Sequence, residues 1–247
     1  MAAFSAGRLV LILDTEREYE GDVAVAAERC TPEIINFMAT YARGLICVPI
    51  TGQRLDDLRI PLMVQAEDGS ADTNFTVSVD GREGVTSGIS AHDRSRTVKA
   101  LIDRSSRPED LNRPGHIFPL RYTEGGVLRR AGHTEAAVDL AKLAGLYPAA
   151  VICEVMNENG TMARPEDLDD FASRHSLTVV TVGQIIEYRR RTEVPAVNSP
   201  SPRHTPKTRE GTARKTEREA ANGTSAERSM NGTSPDQNGT SPDQPDA

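Results

Sequence analysis

The sequence predicts an α+β fold: a single domain with a mixed β-sheet flanked by helices, followed by a low-complexity tail. Three observations predict it. Short apolar runs (residues 9–13, 149–153 and 178–182) alternate with segments of helical period. Their spacing shows no regular βαβ repeat, which favours a mixed sheet over a doubly wound one. Hydrophobic residues make up 37% of the 247-residue chain, low for a globular protein, and the deficit is local. From Val194 onward there is no Leu, Ile, Phe or Tyr, and the only valines are Val194 and Val197. Such a segment cannot bury enough apolar surface to offset its ordering entropy. Residues 1–193 are therefore expected to fold, and 194–247 to form a disordered tail.

The elements follow in order. Residues 9–13 read as a buried strand, 14–22 as a charged loop and 23–26 as a second strand. Thr31-Pro32 supplies an N-cap with proline in the first helical position. That helix runs to about residue 42, with Ile34, Ile35, Met38 and Tyr41 on one face. Residues 45–48 form the next strand candidate, and 75–79 alternate like a half-buried one. Ser90 with Asp93 fits a capping box opening a helix through Val98, Leu101 and Ile102. Residues 116–120 are strand-like, and Pro119 argues for an edge or a bend. Thr134 and Glu135 start a helix packed through Ala137, Leu140, Ala141 and Leu143, with Gly145 as its stop. A strand at 149–153, a helix from Pro165 through Leu168 and Phe171, a strand at 178–182 and a helix at 184–190 complete the domain.

Charge narrows the function classes. The tail holds seven Lys/Arg and seven Asp/Glu, so the net charge of −7 resides on the folded part. An acidic domain is a poor general partner for nucleic acid or anionic lipid. No apolar run approaches the roughly 18 residues of a membrane helix, and residues 1–7 lack the basic start and apolar stretch of a signal peptide. Cys30, Cys47 and Cys153 are odd in number and scattered, which reads as reduced thiols in a cytoplasmic protein. In the tail, Asn-Gly-Thr-Ser recurs from Asn222, Asn231 and Asn238. That period is too short for a solenoid unit and reads as a low-complexity linker.

Two charged clusters carry the chemical signal. Arg17-Glu18-Tyr19-Glu20-Gly21-Asp22 alternates acids on a loop between strands. Such a triplet is commonly a solvated turn, but its oxygen donors also suit Mg²⁺, which uses one or two carboxylates plus water and substrate oxygens. Arg130-Ala131-Gly132-His133-Thr134 opens a helix. A helix N-terminus with an arginine and a glycine beside it suits a phosphate, and equally suits an ordinary capped helix with a surface histidine. His116 follows Pro114-Gly115 at a strand start, where a structural histidine is the commoner case. Glu154 ends an apolar strand, where a charge is costly unless paired or used, and burial there favours acid/base work. Cys47 also ends an apolar run and reads as a small core hydrophobe.

Seven stretches in register resemble 3,4-dihydroxy-2-butanone 4-phosphate synthase, an enzyme of riboflavin biosynthesis. They are Arg17-Glu18-Tyr19-Glu20-Gly21-Asp22, Arg43-Gly44-Leu45-Ile46-Cys47, Phe75-Thr76-Val77-Ser78-Val79-Asp80, residues 84–91, residues 113–120, Gly125-Gly126-Val127-Leu128 and Gly132-His133-Thr134-Glu135-Ala136. The resemblance spans residues 7–190. It implies conversion of D-ribulose 5-phosphate to formate and 3,4-dihydroxy-2-butanone 4-phosphate. It also implies Mg²⁺ or Mn²⁺, and a homodimer with active sites at the subunit interface. Carried over by position, it makes Glu18 and His133 the metal ligands and His116 and Glu154 the acid/base pair. Arg17, Glu18, Asp22, Glu154 and the run Arg130, Ala131, Gly132, His133 and Thr134 would hold substrate, with Arg130 and Thr134 on the phosphate.

The chain departs from the family pattern at Tyr19, where asparagine is usual, at Thr15, where a further acid is usual, and at His92, where a small residue is usual. The first helix common in the family is short or missing. The tail stands where many relatives carry a GTP cyclohydrolase II domain, so that second activity is not expected. Two other readings stand beside the synthase. One is a paralogue acting on a related sugar phosphate, its pocket reshaped by Tyr19 and His92. The other is a non-catalytic interaction protein, against which the intact set of acid/base and metal residues argues.

Overall fold

The computed structural model describes residues 1–15, 17, 19–64 and 74–193. The expected tail, 194–247, and the expected metal ligand Glu18 lie outside the described residues. In chain order the elements are α1 (Ala2–Ser5), β1 (Val10–Leu13), β2 (Gly21–Ala26), α2 (Pro32–Phe37), β3 (Cys47–Ile50), α3 (Gly52–Asp57), β4 (Val79–Gly81), α4 (Ala91–Ile102), β5 (Leu111–Arg121), α5 (His133–Leu143), β6 (Ala150–Glu154), α6 (Pro165–Arg174), β7 (Thr178–Thr181) and α7 (Val182–Glu193). The strands form one mixed sheet in the order β4-β5-β3-β6-β2-β1-β7. β1 and β7 run parallel, as do β3 and β5, while β2 pairs antiparallel with both β1 and β6. The expected α+β architecture is the one observed.

The apolar runs are continuous because the central strands are covered on both faces. Leu11, Val23, Val25, Val48 and Val151 face a core that includes Ile35 of α2, Val98 and Leu101 of α4, and Leu168 of α6. Their neighbours Val10, Ile12, Ala24, Cys47 and Ile152 face a second core with Ala136, Ala137, Leu140 and Ala141 of α5 and Val182 and Ile185 of α7. All three cysteines are free and buried. Among the described residues no helix is long and apolar enough to cross a membrane.

The end signals read from sequence act largely as expected. Thr31 Oγ1 accepts from Ile34 N at 3.4 Å. The chain then tightens into a π-helical turn, Met38–Ala42, and stops at Arg43 with φ 70°. Gly145, at φ 70°, ends α5, and the N–H groups of Gly145 and Leu146 close back onto Lys142 O and Ala141 O.

Four expectations need correction. Phe75 and Thr76 make isolated bridges to Leu120 and Leu62, and the strand proper begins only at Val79. Pro119 lies in β5, between β4 and β3, and not at an edge. Its missing N–H is tolerated because its carbonyl still accepts from Thr76 N at 3.1 Å and Thr76 Oγ1 at 2.8 Å. Ser90 Oγ caps Asp93 N at 3.0 Å, but the Asp93 carboxylate serves the preceding loop and does not close the box. Gly132, not Thr134, is the N-cap of α5, and no side chain caps it.

Candidate active site

The site forms where the N-terminus of α5 meets the ends of β2 and β6. Antiparallel pairing sets Asp22 opposite Glu154, and directly paired residues project to the same face of a sheet. α5 packs on that face and begins with His133, whose Nδ1 lies 3.9 Å from Asp22 Oδ1. A cavity of about 120 Å³ opens there, lined by Asp22, Glu154, Arg130, Gly132, His133 and Thr134, with Glu20, Phe75, Leu120 and Ile152 completing the wall.

Glu154 is held in place. Its Oε2 accepts from Leu45 N at 2.9 Å. Gly44 makes this approach possible, since a Cβ there would stand 2.7 Å from Glu154 Oε2, 2.9 Å from its Cβ, and closer still to its carbonyl oxygen.

The other end of the cavity is cationic. Arg130 Nη1 donates to Glu135 Oε2 at 2.7 Å, and Glu135 is only 1% exposed. Glu135 Oε1 accepts from Thr123 N at 3.1 Å, so one buried carboxylate fixes both the arginine and the loop before the helix. Removing Arg130 would leave the buried Glu135 carboxylate without this charge partner. The Arg130 guanidinium lies close over Gly132 at the helix end, where a Cβ would meet Arg130 Nη1. The uncapped first turn of α5 supplies N–H groups and the positive end of the helix dipole.

The acidic loop reaches the same place. Asp14 Oδ1 accepts from Arg17 N at 3.0 Å and shapes the turn, and Arg17 Nη1 donates to Ala131 O at 3.4 Å. Tyr19 sits at φ 54°. That left-handed conformation suits asparagine far better than tyrosine, which gives a physical meaning to the departure at this position. Neither Tyr19 nor His92 lines the cavity.

His116 stands apart from the cavity lining. Its ring Nδ1 lies 2.8 Å from Asp80 Oδ2, and its backbone N–H donates to Asp80 Oδ1 at 2.9 Å. The registers put Phe118, Cys47 and Ile152 in one row across β5, β3 and β6. Two residues nearer the same end of the sheet come His116 on β5 and Glu154 on β6. With strands about 4.8 Å apart, their Cα atoms are roughly 10 Å apart. They share a face and an end of the sheet without touching.

Burial disfavours the thiolate at all three cysteines. Burial pushes the Cys47 and Cys153 thiols well above their ordinary range, and the nearby Glu154 and Asp22 carboxylates add to the shift. Burial raises Cys30 to about 12. All three are buried in the core, as the sequence suggested for Cys47.

Three carboxylates, Glu20, Asp22 and Glu154, and the His133 imidazole share one small cavity. A donor set rich in hard oxygens fits a divalent cation such as Mg²⁺. Among the described residues no three such groups already stand at ligand spacing.

Two residues with evident roles were missed in the sequence. The sequence reading gives Glu135 as a helix starter and places it and Asp80 in stretches of family resemblance, with no role for either. Each is an acid beside apolar positions, the signal that identified Glu154, and each turns out to be buried.

The 3,4-dihydroxy-2-butanone 4-phosphate synthase family model matches residues 1–188. A riboflavin biosynthesis protein RibBA of Endomicrobium trichonymphae is 58% identical over 76% of this chain and 47% of its own length. A 3,4-dihydroxy-2-butanone 4-phosphate synthase of Agrobacterium fabrum is 56% identical over 75% of this chain and 88% of its own length. A solved structure of a 3,4-dihydroxy-2-butanone 4-phosphate synthase in complex with two magnesium ions superposes with a TM-score of 0.72 at 40% identity, covering 78% of this chain and 95% of that one. The chain spans about half or less of the RibBA-type relatives it matches. From the sheet order, the cavity at the start of α5 and these matches, the chain belongs to the 3,4-dihydroxy-2-butanone 4-phosphate synthase family.

Proposed function

We propose that this chain converts D-ribulose 5-phosphate to 3,4-dihydroxy-2-butanone 4-phosphate and formate, supplying riboflavin biosynthesis in the cytoplasm. The observation that carries the reading is the meeting of Asp22, Glu154, Arg130, His133 and Thr134 around one cavity at a helix N-terminus. Residues 1–193 form the catalytic domain in this reading, and 194–247 a tail outside it.

Arg130, set by Glu135, grips the phosphate through its N–H groups, and Thr134 and the first-turn N–H groups of α5 complete the hold. Arg17, docked on Ala131, closes the acidic loop over the sugar. Asp22, whose Oδ1 lies 3.9 Å from His133 Nδ1, accepts from a substrate hydroxyl beside the imidazole. Glu18 and His133 would hold Mg²⁺ or Mn²⁺. When bound, the ion would polarise the ketone oxygen and stabilise the charge that develops as a proton leaves C3. Glu154 and His116 move protons, the first from the cavity wall and the second from roughly 10 Å along the sheet. At that separation they serve different atoms of the sugar, or the second serves a site completed by another subunit. A homodimer fits the exposed apolar side chains near this end of the fold, Leu45 at 40% and Ile89 at 53% exposure.

Purified protein with Mg²⁺ or Mn²⁺ and ribulose 5-phosphate should release formate in step with substrate loss. Turnover of a different pentose phosphate with no formate from ribulose 5-phosphate would overturn the reading in favour of a paralogue. The position of Tyr19 and His92 off the cavity wall supports the synthase.

A further inference from the structure

We propose that Asp80 is the positioning residue for His116: it fixes the imidazole as the Nδ1–H tautomer and leaves Nε2 as the atom that exchanges protons. The proposal rests on the reading of His116 as an acid/base group.

The geometry comes from a break in a ladder. β4 pairs regularly at Val79↔Ile117, and the register then shifts before Asp80↔Asn112. The shift takes residues 113–116 of β5 out of the ladder, and His116 meets the Asp80 side chain instead of pairing with its backbone. The Asp80 carboxylate is buried and accepts twice from one residue, from His116 N at 2.9 Å and against His116 Nδ1 at 2.8 Å. A carboxylate has no proton to give, so the ring nitrogen facing it must carry one. The ring itself is 44% exposed on its side chain, which leaves its other nitrogen accessible.

Two glycines and a second acid close the arrangement. A Cβ at Gly115 would collide with the Val79–Asp80 peptide, and one at Gly88 would stand 2.6 Å from His116 Nδ1 and closer to Asp80 Oδ2. Gly88 is held at φ 83°. The turn that carries it is fastened by Asp93, whose Oδ2 accepts from Thr86 Oγ1 at 3.0 Å, Ser87 N at 3.2 Å and Gly88 N at 3.1 Å. Glycine at 88 thus leaves room for the carboxylate–imidazole pair, and glycine at 115 lets the two backbones that carry the pair approach closely. The carboxylate role matches a recurrent principle: an acid hydrogen-bonded to one imidazole nitrogen sets which other nitrogen works.

The test uses the full chain and two readouts. Long-range ¹H–¹⁵N correlation reads the tautomer of each histidine, and loss of one set of signals in His116→Gln assigns the ring. Wild type should show Nδ1–H at His116. In Asp80→Asn the single amide oxygen cannot serve both the backbone N–H and the ring, so the ring should move toward Nε2–H. Its kcat for formate release should fall about 10²-fold, the scale of one acid/base group, with KM within about twofold. Asp80→Glu should keep the tautomer and recover most of the rate, and it decides the matter if Asp80→Asn does not fold. A wild-type ring protonated on Nε2, an unchanged tautomer in Asp80→Asn, or a kcat within about threefold of wild type would each overturn the proposal. The tautomer measurement needs no substrate. A wild type that releases no formate would therefore count against the synthase reading and not against the role of Asp80.

Discussion

Gly44→Ala tests whether the placement of Glu154, and not merely its presence, limits turnover. Gly44 lies against the end of β6, and a methyl group there would stand 2.9 Å from Glu154 Cβ. Carbon atoms rest about 3.5–4.0 Å apart, so the overlap is roughly 0.6–1 Å. The carbonyl oxygen is closer still. That oxygen and Cβ belong to backbone and stem, which cannot swing aside as a side-chain tip would, so the end of β6 must move by a similar distance. Displacement of about 1 Å at a reacting group costs on the order of 10²-fold in rate. The same crowding costs about 1–3 kcal/mol of stability, a melting drop of roughly 2–4 °C per kcal/mol at this size. Gly160→Ala is the control. Its position has open space but φ 85°, so alanine there costs about 1–2 kcal/mol through backbone strain alone. Formate release at saturating substrate and thermal melting should show both variants losing stability and only Gly44→Ala losing turnover. Rates for the two variants within about threefold of each other would refute the reasoning.

The other predictions concern the metal, the Asp93 turn and the tail. Glu18→Gln and His133→Ala should each abolish metal-dependent turnover while leaving the far-ultraviolet circular dichroism unchanged; near-normal activity in either would refute the ligand assignment. Asp93 is pushed up by burial, but hydrogen bonds from Thr86, Gly88 and Ser90 outweigh this and hold its carboxyl below the usual range. A lowered folded-state value stabilises above the unfolded value of about 3.9 and is lost as pH falls through the folded one. The melting advantage of wild type over Asp93→Asn should therefore be full near neutrality and shrink below about pH 4; an advantage that grows on acidification would contradict this. Deleting residues 194–247 should leave melting and formate release nearly unchanged, since a segment without apolar anchors adds little; a large loss of either would mean that the segment docks on the domain.

Where a strand is covered on both faces, as residues 10–13, 23–26 and 150–153 are, its apolar run is unbroken and was legible directly. The alternation at 75–79 reported half-burial, which a pair of isolated bridges satisfies as well as a ladder does. Pro119 predicts an edge or bend because a missing N–H is costly in a ladder, and sequence does not show that Thr76 uses its carbonyl. Thr134 is the stronger cap in isolation, yet the helix begins two residues earlier and Gly132 takes the cap. Glu154 is recognisable from sequence as a charge in a costly place, whereas Asp22 and the run from Arg130 to Thr134 stand out through the family resemblance. Glu135 and Asp80 were equally costly, but their partners Arg130 and His116 are reached only once helix and sheet have formed.

β1 has two neighbours of very different origin. β2 follows it almost at once, while β7 is among the last parts of the domain to be made. During synthesis, Val10–Leu13 therefore presents an open, wholly apolar edge until Thr178–Thr181 leaves the ribosome, and such an edge is a template for pairing with a neighbouring nascent chain. The parallel β1–β7 closure makes this domain dependent on shielding late into translation, and shortening the polypeptide ahead of β7 would leave a sticky seam.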